Sequence, residues 1–150
     1  MDRLGYSVLR TTLAVAVVVI SAPALAQAAP FQTVVTVSMP DNATARSVNF
    51  TVPAGKRLIV ENLSGRGAAS NVTMVHLSQG GGLTAVLPVV RASASGWNWH
   101  GTTPTKVYFS AGNVSVTVSR SAAGACGSCS TGNYVTVTGT LRSAADADTE

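Results

Sequence analysis

From residue 27 onward, apolar and polar positions alternate with a period of two. Residues 46–52 set Val48, Phe50 and Val52 on one face and Ser47, Asn49 and Thr51 on the other. Residues 113–119 do the same with Val114, Val116 and Val118, and residues 134–141 with Val135, Val137 and Leu141. Alternation this rich in Val and Thr is the pattern of a half-buried antiparallel strand. No stretch after residue 27 sustains a helical period.

Five further segments carry a less regular strand pattern. Residues 31–39 place Phe31, Val35, Val37 and Met39 together, and residues 106–110 present Val107 with Phe109. Residues 56–63 mix faces, with Leu58 and Val60 opposed to Ile59 and Leu63. Residues 71–78 and 83–90 are apolar on both sides, which predicts strands buried on both faces. Between these eight candidates lie turn residues. Pro53-Ala54-Gly55 suits a turn with Pro second and Gly fourth, Ala111-Gly112-Asn113 reads as a tight hairpin, and Gly80-Gly81-Gly82 breaks the chain before Leu83. The expectation is an all-β fold, an antiparallel β-sandwich of about eight short strands, with the jelly roll among its topologies.

The segments Val52-Pro-Ala-Gly-Lys-Arg-Leu-Ile-Val-Glu61, residues 106–118 and Val135-Thr-Val-Thr-Gly-Thr-Leu141 resemble a group of small exported bacterial β-sandwich proteins of unknown function. The resemblance covers about two thirds of the chain after residue 26. It implies the fold and brings no activity or functional residue with it.

The first 26 residues break the strand pattern and read as a cleaved secretory signal. Arg3 and Arg10 form a basic start, an apolar stretch follows, and Ala24-Leu25-Ala26 is a small-residue cleavage pattern ahead of Gln27. The 16 residues between Arg10 and Gln27 fall short of the roughly 20 that span a bilayer, and Pro23 interrupts them. The expected organisation is a signal peptide over 1–26, one β domain over 27–142 and a flexible tail over 143–150. Export to the periplasm, cell surface or exterior follows, with no membrane span in the mature chain.

The chain is 46% apolar, only 11% charged, and carries a net charge of +4. After removal of the signal the body up to Ala145 stands at +6, because three of the five remaining acids crowd the last five residues. That sign draws a protein toward anionic surfaces such as acidic polysaccharide or lipid headgroups, although solubility is its simpler explanation. No run of Lys and Arg with interleaved aromatics marks a nucleic-acid site.

Two motifs carry candidate chemistry. Cys126-Gly-Ser-Cys129 lies in a small-residue loop with no helix behind it, so in an exported chain it predicts a local disulfide rather than a redox or zinc centre. Trp97-Asn98-Trp99-His100 holds both tryptophans of the chain in a stretch of loop composition. If extended, it turns Trp97 and Trp99 to one side and Asn98 and His100 to the other. Paired indoles stack on sugar rings, with Asn98 or His100 hydrogen-bonding. The competing role is to cap an open end of the core.

Catalytic material is scarce. His76 shares a face with Val72 and Met74 and reads as a partly buried, hydrogen-bonded histidine. Between residue 27 and the tail Asp41 and Glu61 are the only acids, no Gly-x-Ser-x-Gly elbow occurs, and no metal-ligand spacing appears. No catalytic, metal or cofactor site is therefore expected. Asn-x-Ser/Thr triplets start at Asn42, Asn49, Asn62, Asn71 and Asn113. They are glycan acceptors only in a eukaryotic secretory pathway and otherwise polar strand faces. The expectations are a non-catalytic protein acting by surface contact, a carbohydrate-binding module using Trp97 and Trp99, or a homo-oligomer assembled through an edge such as residues 31–39.

Overall fold

A computed structural model describes residues 28–40, 42–69, 71–91, 97–122 and 131–145. The proposed signal segment, the Cys126–Cys129 pair and residues 146–150 lie outside them. The described chain forms nine strands: β1 (Ala29–Met39), β2 (Ala45–Val52), β3 (Lys56–Gly67), β4 (Val72–Gln79), β5 (Gly82–Leu87), β6 (Val90–Arg91), β7 (Trp99–Phe109), β8 (Gly112–Arg120) and β9 (Thr131–Ser143). They make two antiparallel sheets, one ordered β1-β9-β3-β7-β6 and the other β2-β8-β4-β5. Among the described residues, no helix is long and apolar enough to cross a membrane.

The period-two pattern dictates what is buried. Val35, Val37 and Met39 from β1, Val114, Val116 and Val118 from β8, and Val135 and Val137 from β9 are all but inaccessible. Together with Leu58, Val60, Leu63, Val75, Leu77, Leu87, Trp99 and Phe109 they form one cluster fed by both sheets. Burying this apolar surface is the main force holding the fold, at about 25 cal/mol per Å².

Several local expectations are corrected. The mixed faces of residues 56–63 come from a bulge: the register of β3 shifts between Val60 and Asn62 against both β7 and β9. Against β9 the extra residue is Glu61, whereas β7 sets two residues, Thr105 and Lys106, against it, and the irregularity lets Leu58, Val60 and Leu63 all point inward. Gly139 faces the bulge because a Cβ there would meet the Ile59 carbonyl oxygen at 1.9 Å. Strands β4 and β5 are each buried on one face only: Val75, Leu77, Ala85 and Leu87 are inside, while Val86 is exposed. A second register shift, between Val72 and Met74, puts Val72 in the core and parts it from Met74 and His76.

The connections differ too. Ala111-Gly112-Asn113 is no hairpin, since β7 and β8 belong to different sheets. Gly112, at φ 122°, turns the chain across. The Gln79 side chain steadies the crossing at Ser110, with Nε2 donating to its carbonyl at 2.8 Å and Oε1 accepting from its N–H at 3.0 Å. The tight hairpin is instead β4–β5, where Gly80 and Gly81 both take positive φ, as a type I′ turn requires. In the 53–56 turn the Lys56 N–H donates to Pro53, so Pro is first and Gly55, at φ 70°, is third. Strand β9 ends at Ser143, and the Ala144 N–H donates to Gly55 at 3.0 Å.

Candidate functional site

The Trp97–His100 segment is not a loop throughout: Trp99 opens β7, opposite Gly67 of β3. Loop composition misleads here because Thr102, Thr103 and Pro104 occupy a strand next to the bulge, where a missing proline N–H is tolerated. Asn98 fixes the entry. Its backbone N–H donates to the Gly67 carbonyl at 2.8 Å, and its side-chain amide donates to the Ala68 carbonyl.

This anchoring splits the two tryptophans. Trp99 is 1% exposed and lies over β3, where Gly65 and Gly67 leave it room. A Cβ on Gly67 would stand 2.3 Å from the Trp99 Nε1 atom. That N–H donates at 2.9 Å to Oδ1 of buried Asn133, whose amide in turn donates to the Val37 carbonyl at 3.0 Å. Trp99 is thus a core residue with its one polar atom satisfied, the capping role weighed for it.

Trp97 packs instead against side chains on the outer face of the five-stranded sheet. Its ring meets Tyr134 edge-on, with centroids 5.8 Å apart and planes at 89°. The Arg66 guanidinium lies 4.9 Å from the Trp97 ring centroid, a cation–π contact. The registers set Tyr134, Arg66, His100 and Val90 in one outward row. The next row holds Val34, Thr136, Ser64 and Thr102.

Between these rows lies a hollow of about 360 Å³, lined by Val34, Ser64, Gly65, Arg66, Tyr134 and Thr136. Tyr134 is 38% exposed and Val34 55% exposed. Chemically the hollow offers the Tyr134 ring, hydroxyls that donate and accept, and one cation, with the Trp97 ring packed on two of its lining residues, Tyr134 and Arg66. Of the four residues singled out in the sequence, none lines it: Trp97 packs on its Tyr134 and Arg66, exposed His100 is in register with Arg66, Asn98 holds backbone, and Trp99 is in the core. Tyr134 and Arg66 were missed, because period-two reading notes the outward residues of a strand only as polar. The signal that was present is Gly65-Arg66-Gly67, since paired glycines in a strand mark a close approach from another group.

Among the described residues, no cluster of three or more His, Cys, Asp and Glu side chains is placed to hold a metal ion. His76 differs from its expected state, as its Nδ1 atom is buried without a hydrogen-bond partner. Comparison with protein-family models, curated proteins and solved structures gives no match to this chain, so the site is read from its own geometry.

Proposed function

We propose that this protein is an exported, non-catalytic β-sandwich that binds glycan through the outer face of its five-stranded sheet. The sandwich reading is supported by strand orders β1-β9-β3-β7 and β2-β8-β4-β5, the pairing of a jelly roll, and by a core shared between the sheets. Export rests on the apolar leader of residues 1–26.

The observation that carries the binding reading is the edge-on Trp97–Tyr134 pair beside a hydroxyl-lined hollow. An aromatic face receives the C–H side of a sugar ring, while Ser64, Thr136 and Arg66 meet its hydroxyls. Apolar contact supplies affinity and the few polar groups fix orientation. Tyr134 takes the place of Trp99 as the second ring.

The test is retention of the protein on insoluble and immobilised polysaccharides, beside Trp97→Ala and Tyr134→Ala variants. Each variant should lose retention while keeping its thermal midpoint near that of the parent. Undiminished retention in both would remove the site.

Assembly through β1 is the second reading, favoured by its position. It is an 11-residue strand at the edge of its sheet, paired among the described residues only to β9. Sedimentation at high concentration should then show dimers or larger species, and a lone monomer would end the idea.

A further inference from the structure

We infer that the glycan is an acidic polysaccharide lying along β9 and β3, held at a second station around Tyr108, Arg57, Lys106 and Arg142. This inference rests on the glycan reading of the Trp97–Tyr134 site and adds the class of ligand and its path.

The second station lies on the same outer face. Ile59, Glu61, Thr105, Lys106, Tyr108 and Arg142 line a hollow of about 290 Å³. Its plan repeats the first, with a half-exposed aromatic and an arginine over the ring: the Arg57 Cζ atom lies 4.7 Å from the Tyr108 centroid. Thr140, in register with Ile59 and Tyr108, is six residues beyond Tyr134 on β9. At the rise of a strand that is about 20 Å, the reach of several sugar rings rather than one.

Charge identifies the class. Arg57 and Arg142 are directly opposite in the β3–β9 register. An acidic group docked beside this pair meets two guanidinium groups in one outward row. Lys106 adds a third cation, and the one carboxylate of the hollow, Glu61, accepts a hydrogen bond from the Thr140 hydroxyl at 3.0 Å.

The space between the stations is uncharged. Beyond Ser64 and Thr136 of the first hollow it holds Asn62 and Thr138. A nucleic acid carries a phosphate at every residue and calls for cations along the whole track. Cations gathered at two ends, with hydroxyls and an amide between, fit a polymer whose acidic groups are spaced among neutral hydroxyls.

The experiment uses protein produced from the full coding sequence and processed by its host. Affinity electrophoresis would compare polygalacturonate and alginate, each beside its esterified, uncharged form, with an oligothymidylate as the nucleic-acid arm. At least one acidic polymer should bind about tenfold tighter than its ester, with affinity falling as salt rises. The Arg57→Gln/Arg142→Gln double variant should lose that preference and keep its weaker binding to the ester. Lys106→Gln, at an exposed position, should lose part of it even if the double variant folds poorly. Equal binding of acid and ester refutes the acidic class and leaves the glycan reading standing, as does retention of neutral polysaccharides only. Binding to no polysaccharide sinks both. Equal or tighter binding of the oligothymidylate overturns the assignment to polysaccharide.

Discussion

The outer face of the four-stranded sheet is made of small, neutral side chains, whereas that of the five-stranded sheet gathers aromatic rings and charges. In the first, Ser47 and Thr117 hydroxyls hydrogen-bond at 2.7 Å, and the Thr51 hydroxyl donates to Asn113 at 2.9 Å. Its outward rows run Ala45–Ser119–Met74, Ser47–Thr117–His76–Val86 and Asn49–Ser115–Ser78. Among the described residues these rows hold no Lys, Arg, Asp or Glu. The five-stranded face instead carries Trp97, Tyr108 and Tyr134, four cations and one carboxylate. Inward, both sheets feed one core built mainly of valine and leucine, to which the five-stranded sheet adds Met39, Trp99 and Phe109. The core therefore explains why the chain folds, and only the contrast between outer faces bears on what it does.

The contrast between inside and outside is sharpest within one motif. Trp99→Ala should cost about 3–5 kcal/mol of stability, since it empties a packed site and removes the N–H that donates to Oδ1 of buried Asn133. Trp97→Ala, which gives up a partly exposed ring contact, should cost about 1 kcal/mol or less. Chemical denaturation of the two variants measures both. Similar losses would mean that Trp97 too serves the fold, and the five-stranded face would forfeit its claim to a ligand.

How far the sequence discloses this depends on which physical rule governs each residue. Alternation is a local rule, so β2, β8 and β9 are legible from Val48, Val116 and Val137 alone. Bulges are not local: Glu61 becomes the extra residue only because Gly139 on another strand admits the Ile59 carbonyl. The same limit hid the sheet assignment of β7 and β8, since a glycine that turns a hairpin and one that crosses between sheets look identical in sequence. At the site, aromaticity flagged Trp97, but Arg66 and Tyr134 lie 31 and 37 residues from it in the chain. Only the β3–β9 register sets that pair side by side.

A milder test asks whether the four-stranded face is as inert as its hydrogen bonds imply. Thr117→Ala removes the bond to Ser47 at an exposed position, where water replaces it. The expected loss is about 0.5–1 kcal/mol in denaturant titration, with polysaccharide retention unchanged. A loss of retention would place ligand contacts on both faces and dissolve the distinction between them.

The smallest effect belongs to His76, the one titratable side chain in those rows. Burial beside Thr117 and Val86 holds its pKa below the ordinary 6.5, because its charged form would be desolvated and Nδ1 has no partner. The unfolded chain therefore binds the proton more readily than the folded one. Stability from this residue is complete above about pH 6.5 and declines as pH falls through that value toward the folded-state pKa. His76→Gln keeps a polar side chain and cannot titrate, so its unfolding free energy should fall less than the parent's between pH 7 and pH 5, while the acidic groups contribute alike to both. A parent and variant with parallel pH profiles would show that Nδ1 finds water in solution, and that even this row of the four-stranded face is solvated.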